Sequence, residues 1–218
     1  MTADTTALQP HAAGPATGAA GHDPAAGVHQ GRGVSNVILG MILFITSEIM
    51  FFSGLFAAYF ATRFSGTNQP WPPEALDHIL DPLGLILFAT IILILSSFTC
   101  QFAVWSIRKG DRRGFIRNIG VTFVLGVIFL ILQVYDYAIL YSEGLTLGSG
   151  PFGTTYYTLT GFHGAHVFGG VLMLGVILYR GMAGQFSAKH HDAVESVSLY
   201  WHFVDVVWIL LFSILYLL

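Results

Sequence analysis

Gly40-Met41-Ile42-Leu43-Phe44-Ile45-Thr46-Ser47-Glu48-Ile49-Met50-Phe51-Phe52-Ser53-Gly54 is an almost unbroken apolar run holding one charge, the carboxylate of Glu48. Its hydrophobic side chains follow one another without the alternation of a barrel strand, so the run predicts a membrane-crossing α-helix. A carboxylate in the hydrocarbon region costs several kcal/mol unless it is protonated, paired or set in a protein-lined cavity. Glu48 is the residue whose presence most needs a physical reason.

Four more apolar runs follow. The five spans read as Ser35–Thr62, Leu83–Ile107, Phe115–Tyr141, Thr155–Tyr179 and Val194–Leu218. Each is long enough to cross about 30 Å of hydrocarbon at about 1.5 Å per residue. The expected fold is an all-α integral membrane bundle of five transmembrane helices. Composition agrees: of 218 residues, 54% are hydrophobic and only 10% charged, with a mean hydropathy of +0.68. A soluble domain carries about a quarter charged residues. The net charge of -3 is too small to suggest a nucleic-acid partner.

Punctuation falls between the runs. Pro70, Pro72, Pro73 and Pro82 break the first loop, and Gly144, Gly148, Gly150, Pro151 and Gly153 the third. Residues 1–33 are rich in Ala, Gly, His and Pro without apolar periodicity, which reads as a disordered cytoplasmic tail ahead of a membrane domain over 34–218. The tail lacks the basic start and apolar core of a signal peptide. His11, His22 and His29 are irregularly spaced on it and read as incidental. The single cysteine, Cys100, lies inside an apolar run and reads as a packing residue.

The basic residues set the expected orientation. Arg32, Arg108, Lys109, Arg112, Arg113, Arg117, Arg180 and Lys189 fall on one side of the bundle. Arg63 alone falls on the other, with Glu74, Asp77, Asp81 and Glu143. The positive-inside rule then places the N-terminus in the cytoplasm and the C-terminus outside. No external domain is expected after span five.

Small residues mark helix contacts in membranes, because lipid supplies no hydrophobic drive between helices. Ser53, Ala57 and Ala61 recur at spacing four in span one, and Gly161, Ala165 and Gly169 do so in span four. These stripes suit close helix approach. Counting helical rises brings Glu48, His166 and Asp205 to comparable mid-membrane depth, with His163 and His202 each about one turn away. His163, His166, His202 and Asp205 are the expected intramembrane polar network. A metal or haem site built from the three histidines is the sharper reading. Histidines hydrogen-bonded to buried carboxylates are the plainer one. Glu48 itself reads three ways: a proton relay, a substrate or ion site of a transporter, or an interhelical clamp.

Gly40 to Glu48, with Phe51-Phe52-Ser53-Gly54, resembles subunit III of haem-copper terminal oxidases. The resemblance continues through Trp71-Pro72-Pro73, Gly110-Asp111-Arg112 and Gly161-Phe162-His163-Gly164-Ala165-His166-Val167. It ends on Tyr200-Trp201-His202-Phe203-Val204-Asp205-Val206-Val207-Trp208, so it covers nearly everything after residue 33.

The resemblance implies a non-catalytic core subunit of an aerobic respiratory oxidase, a cytochrome c oxidase of aa3 type, in the bacterial cytoplasmic membrane. It implies no catalytic residue and no metal or cofactor ligand in this chain, with haems and copper held by partner subunits I and II. It also implies direct packing on subunit I, company from subunit II and from a subunit IV or other small subunits, and bound phospholipid. Glu48 matches the family's buried carboxylate, which supports proton uptake. The mitochondrial form has seven spans and this chain lacks the first two. The same five-span group includes quinol oxidase subunits and a nitric-oxide-reductase-associated homologue. From a different class, a stand-alone transporter or channel would use Glu48, but the spans show no internal repeat and no paired broken helices.

Overall fold

The computed structural model describes residues 35–65, 71 and 84–217. The expected tail over 1–33 and most of the proline-rich first loop lie outside the described residues. Among the described residues, five helices are long and apolar enough to cross a membrane. They are α1 (Asn36–Arg63), α2 (Leu85–Arg108), α3 (Arg112–Ser142), α4 (Pro151–Met182) and α5 (Asp192–Phe212), and a π-type turn, Ser213–Leu217, extends the last. α3 and α4 run beyond the expected spans at both ends, by one to four residues. Ser35 accepts from the Val37 backbone N–H at 3.3 Å at the start of α1, and Asp111 accepts from that of Gly114 at 2.9 Å at the start of α3.

The connection between α2 and α3 is only Lys109-Gly110-Asp111, with Gly110 at φ +77°, a left-handed conformation that glycine adopts without a Cβ clash. This tight turn lays α2 and α3 antiparallel along their length, and theirs is the most extensive helix contact among the described residues. α3 packs on α4, α4 on α5, and α5 back on α2. α1 packs on α4 and α5.

The core is organised by Trp201 of α5, which is fully buried. A Cβ on Gly126 of α3 would lie 2.7 Å from its Cη2 atom, and one on Gly170 of α4 would lie 2.8 Å from its ring. The indole is therefore clamped between two helix backbones that only glycine allows this close. Its N–H donates to Ser96 Oγ of α2 at 2.9 Å, and that of Trp208, two turns on, donates to Thr90 Oγ1 at 3.0 Å. Two indole bonds in a medium without water pin the register of α2 against α5.

At the basic end, Arg108 Nη2 lies 2.7 Å from Glu195 Oε1, and His191 Nε2 lies 3.0 Å from the same oxygen. At the opposite end, Tyr156 and Tyr216 meet through their hydroxyls, and Tyr137 donates to Thr160 at 2.7 Å.

Candidate functional site

α1 and α4 bring Glu48 and His166 together. Glu48 lies twelve residues past Asn36, roughly 18 Å along its helix at about 1.5 Å per residue. His166 lies fifteen past Pro151, roughly 22 Å along its own by the same rise. Glu48 Oε2 is 2.8 Å from His166 Nε2, and both side chains are more than four-fifths buried. The His166 ring also meets Phe52, with ring centroids 5.0 Å apart, and Phe51, at 6.1 Å. Tyr200 of α5 donates its hydroxyl to the His166 carbonyl at 3.1 Å, tying the pair to the centre of the bundle.

The hydrogen bonds fix how many protons this pair holds. His166 Nδ1 lies 2.7 Å from the Phe162 carbonyl, which can only accept, so Nδ1 carries a hydrogen. An ionised Glu48 facing an unprotonated Nε2 at 2.8 Å would set two lone pairs against each other. One further proton must therefore lie between Oε2 and Nε2. It belongs either to a carboxylic acid donating to neutral imidazole or to an imidazolium donating to carboxylate. Both forms are neutral as a pair, which removes the charge cost that made Glu48 costly in sequence.

The remaining polar residues separate by face. His163 is buried between Phe129 and Trp208 and donates from Nε2 to the Val204 carbonyl at 3.2 Å. His202 Nδ1 lies 2.6 Å from Ser97 Oγ on the α2 side of α5. Asp205, one turn on, is 4% exposed and lines the same side. The expected single network thus divides into three local arrangements, and the histidines do not converge on one point. Among the described residues no three His, Cys, Asp or Glu side chains gather as a metal site.

A family model for cytochrome c oxidase subunit III matches residues 22–218. The chain belongs to the cytochrome c oxidase subunit III family. A probable cytochrome c oxidase subunit 3 of Mycobacterium tuberculosis is 40% identical over 202 residues, 92% of this chain and 97% of its own. The cytochrome c oxidase subunit 3 of Corynebacterium diphtheriae is 43% identical over 180 residues, 83% of this chain and 87% of its own. That of Sus scrofa is 40% identical over 180 residues, covering 81% of this chain but 67% of its own. Membership makes the chain a multi-pass membrane subunit of an oxidoreductase complex, associated with other oxidase subunits.

Within this family member the small-residue stripes sit differently from expectation. Ser53, Ala57 and Ala61 are exposed on α1, and a Cβ on neighbouring Gly54 would meet nothing within 4 Å. α1 is seated by Phe52 and Tyr59, its two buried residues. In α4, Ala165 is exposed and Gly161 and Gly169 are half-buried, while the close approach is made one residue later by Gly170. Tyr200 was missed as a partner of the His166 backbone. Its placement one residue before Trp201, at the depth of His166, was the available signal. Ser97 was missed because a lone serine in an apolar helix commonly bonds its own backbone.

Proposed function

We propose that this chain is the third subunit of an aerobic haem-copper oxidase of aa3 type that takes electrons from cytochrome c. In this reading it carries no redox centre, packs on subunit I beside subunit II, and sustains proton uptake while phospholipid covers its exposed faces. Its N-terminus lies in the cytoplasm and its C-terminus outside the bacterial inner membrane, a placement supported by eight of nine basic residues on one side.

The Glu48–His166 pair carries the proton part of the proposal. Moving its proton along the 2.8 Å line exchanges two forms of equal net charge. The pair can therefore accept a proton at one end and release one at the other without leaving a lasting charge in hydrocarbon. The same pair also clamps α1 to α4, so relay and clamp are two consequences of one geometry.

Purifying the tagged chain from its native membrane tests the assignment. Haem-bearing and copper-bearing partners are expected to copurify, and their absence would overturn the subunit reading. In the purified oxidase, Glu48→Gln keeps a donor toward His166 but removes the transferable proton. Assembly should persist while proton uptake and turnover decline over repeated cycles. Wild-type uptake and undiminished turnover in that variant would leave only the clamp.

A further inference from the structure

Beneath the lipid-facing surface between α2 and α5 lies a cavity of about 330 Å³, walled by Ile94 and Phe98 of α2 and Val206 and Ile209 of α5. Its polar lining is Ser97, Gln101, His202 and Asp205, and Gln101 bonds neither Asp205 nor His202. Neither Asp205 carboxyl oxygen, nor Nε2 of His202, has a hydrogen-bond partner at normal geometry among the described residues, although Ser97 stands within reach of Asp205, and all three atoms are buried. Ser97 already faces His202 Nδ1 at 2.6 Å, and its one proton cannot serve an imidazole and two carboxyl oxygens together. Asp205 is thirteen residues into α5, roughly 20 Å from its start at about 1.5 Å per residue. That is mid-membrane, where an unpaired polar group costs several kcal/mol.

We propose that this cavity is the docking point for a transmembrane helix of another oxidase subunit, which inserts a hydroxyl- or amide-bearing side chain between Asp205 and His202. The proposal rests on the chain being an oxidase subunit. Acyl chains have no donor to offer at this depth. The rim of Phe98, Val206 and Ile209 is exposed and apolar, as a helix contact in lipid requires. An unpaired carboxyl at this depth keeps its proton, so Asp205 can be met at O–H by an acceptor and at C=O by a donor, and a His202 whose Nδ1 accepts from Ser97 presents Nε2–H and needs an acceptor. A hydroxyl or a carboxamide supplies both.

The test uses the intact oxidase in its own membrane. With Phe98 replaced by photoreactive benzoyl-phenylalanine, illumination should join this chain to another subunit. Peptide masses should map the adduct to a transmembrane segment with Ser, Thr, Asn or Gln within one turn. Adducts only to lipid, or only to a second copy of this chain, would overturn the proposal. Asp205→Asn keeps an acceptor and should stay within twofold of wild type in retention on the complex through detergent washes. Asp205→Leu should fall by about fivefold or more, in line with the loss of one interhelical hydrogen bond. Equal retention of both variants counts against the docking. If Asp205→Leu does not accumulate in the membrane, the Phe98 adduct decides alone. Copurification of the oxidase with no adduct at Phe98 defeats this inference and leaves the subunit assignment standing.

Discussion

α1 and α5 are both apolar spans with one buried carboxylate near the middle, yet they are held in opposite ways. α5 lies against α1, α2 and α4, and half of its most apolar window is buried; for α1 the share is 6%. α5 is fixed by Trp201 and Trp208, whose rings fill the core and whose N–H groups bond α2. α1 is held by Phe52, Tyr59 and one carboxylate–imidazole bond. In a membrane, where burial alone drives little, such a contrast separates a helix that builds the fold from one that leans on it.

Substitutions can break or sharpen that contrast. Trp201→Ala empties the clamp between Gly126 and Gly170 and should cost about 3–5 kcal/mol, the range for large aromatic truncation in a core. Thermal unfolding of the purified complex, followed by circular dichroism, would show it. Gly126→Val adds atoms where a Cβ already approaches the indole to 2.7 Å, so overpacking of about 1–3 kcal/mol is expected in the same assay. Its counterpart on α1, Gly54→Val, meets open space within the chain and should leave subunit stability within about 0.5 kcal/mol. A large loss there, seen only in the assembled oxidase, would locate a neighbour on that face. His166→Phe retains ring contacts with Phe51 and Phe52 but leaves Glu48 unpaired. It should loosen α1, read as faster protease cleavage near Arg63, while α2 to α5 unfold at an unchanged temperature. If α1 variants destabilise the bundle as severely as Trp201→Ala, the distinction between the helices is wrong.

Depth was readable from sequence, and azimuth was not. Counting rises from the span ends put Glu48 and His166 at one level, and they do meet. The same count put Asp205 at that level too, but its side chain projects toward α2, on another face of α5. Depth follows from the fixed rise of a helix, whereas the facing of each helix follows from which neighbours it packs on. That depends on pairings the chain reveals only when folded. The small-residue stripes misled for the same reason. Spacing four shows that Ser53, Ala57 and Ala61 share a face but not that the face turns outward. Gly126 and Gly170 belong to different helices and mark a close approach only because Trp201 lies between them. The α2–α3 turn is tighter than the seven residues, 108–114, left between the expected spans, because α3 starts at its Asp111 cap and not at the apolar run.

The seating of α1 also has a consequence for how the polypeptide is made. Of the five spanning helices described, α1 is made before the α4 and α5 it rests on, and Glu48 meets its histidine only after more than a hundred further residues have been synthesised. Until then the nascent chain must carry that acid group into the bilayer without its mate. Insertion of this helix and its capture are therefore separate events in biogenesis, and a ribosome stalled before residue 166 would leave an α1 that is threaded but not yet docked.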